Sequence, residues 1–196
     1  MLKWLTMLWV VICVVCFPFG AASQEIGEKT KQTSTIKKIE SLTVLRLPKG
    51  TVRIQEQSTF EKRKNIAVKV EEMIRKSGVT SDKAVIAVLV NAWHESRWNP
   101  RAKSGSCIGF FQLKRGNGMG GRHTVEQLMN LDVNVSIMMA STSFKKWVIW
   151  VKNNPNKTAG EMSFQFASRV ERCASQHRQP RRTTADRWYK KLSSSG

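Results

Sequence analysis

From about Ser58 onward, apolar residues recur at a helical period. Ile66, Val70, Met73 and Ile74 share one face of a first helix that Ser77-Gly78 stops. Thr80 or Ser81 can cap a second helix, whose Ala84, Val85, Val88, Leu89 and Ala92 form a broad apolar face. Glu95 projects from that same side in the last turn. Pro100 cannot continue the helix and pushes Asn99 toward an extended conformation. A loop through Gly105 and Gly109 leads to "IGFFQL", a short strand or turn, and then to the glycine-rich "KRGNGMGGRH", which reads as flexible. The stretch "TVEQLMNLDVNVSIMMASTSFKKWVIWVK" is helical by period, with Thr124 as its cap and Leu128, Val135, Met138 and Met139 as core positions. A last helix is expected over Thr158 to Ala174, where Ala159, Met162, Phe166 and Val170 share a face. The tail "HRQPRRTTADRWYKKLSSSG" reads as basic and ending in solvent.

Upstream the pattern changes. Residues 24 to 36 are polar without an apolar period, as in a linker. "SLTVLRLPKGTVRIQEQ" alternates around Pro48-Lys49-Gly50 and predicts a β-hairpin. The expected fold class is therefore mainly α (α+β), a helical domain over 58–196 with a small β element and a basic tail. It follows a leader at 1–23 and a linker with the hairpin at 24–57.

Composition adds compartment and partners. The 196 residues hold 33 Lys+Arg against 14 Asp+Glu, a net charge of +19 spread along the chain. Such an excess favours polyanions: nucleic acid, anionic lipid, lipopolysaccharide or acidic wall polymers. The start "MLKWLTMLWVVICVVCFPFGAASQ" has the order charge, apolar core, small residues. That is a signal peptide cut after Ala22 or Ser23, or else an uncleaved membrane anchor. Cleavage implies an exported protein of the periplasm or cell envelope. It also leaves only Cys107 and Cys173, which either form a disulfide or stay as two separate thiols.

Candidate chemistry centres on Glu95. A general acid at neutral pH must keep its proton, and apolar walls such as Trp93, Trp98, Phe110 and Phe111 would help it do so. The alternative is a surface residue paired with Arg97 or Arg101. No cofactor is implied, and no metal: after His94-Glu95, Trp98 stands where the second histidine of a zinc motif belongs.

The ordered string Glu95-Ser96, Asn99-Pro100, Ala102, Ser104, Gly105, Gly109-Phe110-Phe111-Gln112-Leu113 resembles the lysozyme-like superfamily, specifically lytic transglycosylases and phage tail-associated lysozymes. "GMGGRHTVEQLMNLDVNVSIMMA" looks like the glycine turn and following helix of phage members. "FASRVERCASQHRQPRRTTADRWY" is similar to their closing motif, with Cys173 where proline is usual. The likeness covers roughly residues 58 to 190. Two departures stand out: the loop before Gln112 is one residue short, and Ser106-Cys107-Ile108 replaces the usual Gly-Ala.

The resemblance implies peptidoglycan cleavage between N-acetylmuramic acid and N-acetylglucosamine, with Glu95 as the one acid and base. Gln112, Phe111, Ser104 and Phe110 would contact the sugar, although at least one of the two phenylalanines is expected to pack in the core instead. A lytic transglycosylase would form 1,6-anhydro products, whereas a hydrolytic muramidase of phage lysozyme type would leave reducing ends. Rival readings are an inactive protein binding murein or lipopolysaccharide, and a nucleic-acid binder, against which the exported N-terminus argues.

Overall fold

The computed structural model describes residues 54–172 and 174–194, with side chains from Ser58 onward. The leader, the linker and most of the predicted hairpin lie outside the described residues. Where the expectation can be compared it is overturned, because Ile54–Gln57 open a helix, α1 (Ile54–Lys76). Of its expected face, Val70 and Ile74 are buried while Ile66 and Met73 are half-buried against the core, and Ala67 is buried beside them.

The central element is α2 (Asp82–Ser96), in which every residue from Ala84 to Trp93 is buried. A helix apolar on all sides must be surrounded, and α2 is packed by α1, by α6 (Ala159–Phe166) and by α7 (Ser175–Ser194). Ser81 stands at its N-cap with no capping hydrogen bond from its side chain. Arg75 ties down that end instead, donating to Asp82 Oδ1 at 2.7 Å and to the Thr80 carbonyl at 3.3 Å.

After α2 the chain reverses sharply. Arg97 and Trp98 both take left-handed backbone conformations, with φ of 54° and 57°, a costly state for side-chain-bearing residues. Burial offsets that cost. Trp98 folds back into the core, donates from its indole to the Leu89 carbonyl at 2.8 Å, and packs among Phe60, Trp93 and Trp188.

Three two-residue antiparallel strands follow: β1 (Lys103–Ser104), β2 (Cys107–Ile108) and β3 (Leu113–Lys114), in the order β1-β2-β3. Ser104 pairs with Cys107, and Ile108 with Leu113. The glycine-rich stretch expected to be flexible is a turn closed by its own backbone, with Gly120 N–H on the Lys114 carbonyl and Gly116 N–H on the Gly121 carbonyl, both at 2.8 Å.

One helical period over 124–152 becomes three helices: α3 (Val125–Met129), α4 (Leu131–Ala140) and α5 (Thr142–Asn153). Thr124 begins α3 in a capping box with Gln127. Asn130 and Ser141 then break the run, each in an extended conformation with its side-chain oxygen capping the next helix. The predicted last helix is shorter than expected. It ends as α6 at Phe166, passes into one π-helical turn over Ala167–Glu171, and stops at a left-handed Arg172.

The tail is the larger correction. It forms the 20-residue α7, which buries Arg181, Ala185, Trp188 and Leu192 on one face and accommodates Pro180 near its start. Asp186 of α7 also accepts the Gly160 N–H at 2.7 Å, a carboxylate at the α6 N-terminus where the helix dipole favours it. Among the described residues no helix is long and apolar enough to cross a membrane.

Candidate active site

Glu95 sits in the last turn of α2, and hydrogen bonds fix the loop that follows it. Ser96 Oγ donates to the Phe110 carbonyl at 2.7 Å, so the residue after the acid clamps the loop to the helix end. Arg63 Nη1 holds the Arg97 carbonyl at 2.9 Å from α1. Deeper in, the fully buried Asn134 donates to the Ile108 and Leu128 carbonyls at 3.0 and 2.9 Å and accepts the Phe111 N–H at 3.0 Å. Its amide thus satisfies three backbone groups that burial would otherwise leave unpaired.

The surroundings of Glu95 differ from the apolar walls expected for it. Trp93 and Trp98 turn into the aromatic cluster, and Glu95 Oε1 instead accepts a hydrogen bond at 2.6 Å from Nη2 of Arg181 on α7. The physical reason is helical spacing. Residues two apart face different ways, while Glu95 and Asn91, four apart, share the side that meets α7. Asn91 Oδ1 accepts from Arg181 Nη1 at 3.0 Å, and its amide nitrogen donates to Ala87 and Ser163. Arg181 Nη1 also donates to Glu171 Oε2. One guanidinium therefore joins two carboxylates and an amide. The side chains of Arg181 and Glu171 are 7% and 8% exposed, and that of Glu95 is 21% exposed, so the network opens outward at Glu95.

The other predicted residues fall into separate places. Gln112, at φ 47°, turns its amide nitrogen onto the Gly109 and Ala102 carbonyls at 2.9 and 3.1 Å, bracing the loop. Phe110 and Phe111 are 0% and 4% exposed and stack edge-on at 4.9 Å. Both belong to the core, which overturns their assignment as stacking walls, since a sugar needs an accessible ring face. Ser104 is exposed on β1. Cys107, half-buried on β2, is a free thiol, and Cys173 lies outside the described residues.

Arg181 and Asn91 were not singled out by sequence reasoning. A buried arginine carries no special mark among 33 basic residues. Pro180 also hides the helical period that would have placed it.

His94 faces α7 as well, its Nε2 lying 3.3 Å from Thr184 Oγ1. Burial first, then the charges of Arg181 and Arg97, lower its pKa from 6.5 to about 4. The imidazole therefore stays neutral in the fold across a range where the unfolded chain protonates. Between those two values the unfolded state binds the extra proton, so stability is full above pH 6.5 and is lost as pH falls toward about 4. The loss is expected to reach at most about 3 kcal/mol. Denaturant midpoints from pH 7.5 to 4.5 should fall more steeply for the wild type than for His94→Gln; parallel curves would remove His94 as the cause.

A family model described as phage tail lysozyme matches residues 65–192, a span from α1 through nearly all of α7 that includes Glu95, Glu171 and Arg181. No curated protein and no solved structure matches the chain.

Proposed function

The chain belongs to the phage tail lysozyme family, and on that premise we propose that it cleaves the β-1,4 bond between N-acetylmuramic acid and N-acetylglucosamine as a lytic transglycosylase, with Glu95 as its acid and base. The coarser activity, that of a lysozyme-like glycosidase acting on peptidoglycan, follows from the family itself.

The observation that carries the finer reading is the placement of the carboxylates. Glu95 ends a buried helix and keeps part of its side chain exposed. Three acids farther along the chain, Glu126, Asp132 and Glu171, are unsuited as partners in chemistry. Asp132 pairs with Lys69 at 2.8 Å on the surface, with both side chains more than half exposed. Glu126 is exposed in the first turn of α3, and Glu171 lies buried behind Arg181. A nucleophilic or basic carboxylate across the scissile bond, as two-carboxylate glycosidases need, is thus not offered by these residues.

A single acid suffices if the sugar supplies the rest. Glu95 gives its proton to the glycosidic oxygen as the C1–O bond breaks, and the N-acetyl carbonyl oxygen shields the positive centre at C1. The Glu95 carboxylate then takes the proton of the sugar's own C6 hydroxyl, whose oxygen closes on C1. The acid is regenerated and the product ends in a 1,6-anhydro ring. Export directed by residues 1–23 would deliver the enzyme to the envelope, and the +19 charge would attract it to acidic wall polymers.

Mass analysis of muropeptides released from purified peptidoglycan tests this outcome. We expect ends lighter by one water than reducing ends and resistant to borohydride. Borohydride-reducible muramic acid ends would assign the chain to hydrolysis and overturn the transglycosylase reading.

A further inference from the structure

We propose that Arg181 is a positioning residue for the reaction: Glu171 and Asn91 anchor it, and it holds one oxygen of Glu95 so that the carboxylate is presented to the glycosidic bond in a single orientation. This rests on the reading of Glu95 as the acid.

The two terminal nitrogens of Arg181 serve three partners. Nη2 serves Glu95 at 2.6 Å, while Nη1 serves both Asn91 Oδ1 at 3.0 Å and Glu171 Oε2. A planar guanidinium can span partners on either side of its fork, whereas a lysine offers one nitrogen at the end of a flexible stem. The anchors are themselves fixed. Asn91 is 0% exposed and bonded to Ser163 of α6, and Glu171 belongs to the π-helical turn between α6 and α7. Three segments of the fold therefore converge on the orientation of one carboxylate.

Stability is a poor reason for such an arrangement. Burying an arginine with two carboxylates carries a desolvation cost that their attraction does no more than offset, and apolar packing of the same volume is commonly as stable. Catalysis gives a better one. As Glu95 releases its proton, negative charge grows on the oxygens beside Arg181, and a donor already in place favours the transition state over the ground state. The closing motif of the sequence gains a physical meaning from this, since Glu171 and Arg181 are two of its residues.

The test is steady-state kinetics on soluble glycan strands for Arg181→Lys and Glu171→Gln, with Glu95→Gln as the inactive reference and denaturant midpoints for all three. Arg181→Lys is expected to lower kcat at least about tenfold, because small misplacements of a catalytic group are amplified in rate, while KM stays within about twofold and the midpoint is retained. Glu171→Gln, which loosens the anchor and leaves the guanidinium, should lower kcat in the same sense. If Arg181→Lys does not fold, Glu171→Gln decides by the same criteria. A kcat within about twofold of wild type, or kcat, KM and stability declining together, overturns the proposal. Full activity of Glu95→Gln would instead overturn the reading beneath it, so the two failures are separable.

Discussion

Gly109→Ala is expected to destabilise the protein by at least about 3 kcal/mol, combining a forced collision, a broken buried network and backbone strain. Gly109 has φ +85°, and a Cβ there would lie 2.1 Å from the Leu128 carbonyl oxygen and 2.2 Å from Asn134 Nδ2. Neither neighbour can yield cheaply. The Leu128 oxygen is backbone and already accepts from Asn134, and the same side chain holds the Ile108 carbonyl and the Phe111 N–H. A methyl group must push Asn134 off at least one of these bonds, stranding polar groups in the core. Gly105→Ala separates the causes, since Gly105 also has positive φ, +57°, but a Cβ there meets nothing within 4 Å. It should cost only about 1 kcal/mol, the conformational part alone. Urea midpoints followed by circular dichroism check both values. A loss below about 1.5 kcal/mol for Gly109→Ala would mean that Asn134 does not lock the loop as described.

What the sequence makes legible follows from how local each signal is. α1 and α2 show as continuous apolar faces, and the capping box at Thr124 is a contact between residues three apart. Asn130 and Ser141 are as local, yet their caps were overridden by a helical period that runs straight through them. α7 was missed for the opposite reason. Its apolar face is only Ala185, Trp188 and Leu192 in a basic segment interrupted by Pro180, and the helix is held mainly by partners on other elements.

The site divides in the same way. Glu95 stands out because an acid ends an apolar helix in a chain poor in acids. Arg181 is 86 positions away, and its burial exists only once α7 closes over α2. Phe110 and Phe111 fit a sugar cleft and a core equally well by residue type, and burial places both in the core. Ser96, read only as part of a motif, supplies the bond that fastens the loop to the end of α2.

Replacing Glu95 by glutamine is expected to lower the rate of peptidoglycan cleavage by about a thousandfold or more, which is the scale of removing a positioned general acid and base. The substitution is conservative in shape. Glutamine keeps an oxygen that can accept from Arg181, and Arg181 keeps its bonds to Glu171 and Asn91, so the network loses no partner. The fold should therefore survive with a stability change of no more than about 2 kcal/mol. What the variant lacks is a proton to give to the leaving oxygen and a carboxylate to take one back. An amide that binds strands normally but cannot exchange that proton should leave KM nearly unchanged and kcat all but abolished.

The role proposed for Glu95 is decided by incubating purified peptidoglycan with wild-type protein and with folded Glu95→Gln, and quantifying the muropeptides released by each. Release by the wild type with almost none from the variant is the predicted result. Equal release by the two proteins, or none from the wild type, would contradict it.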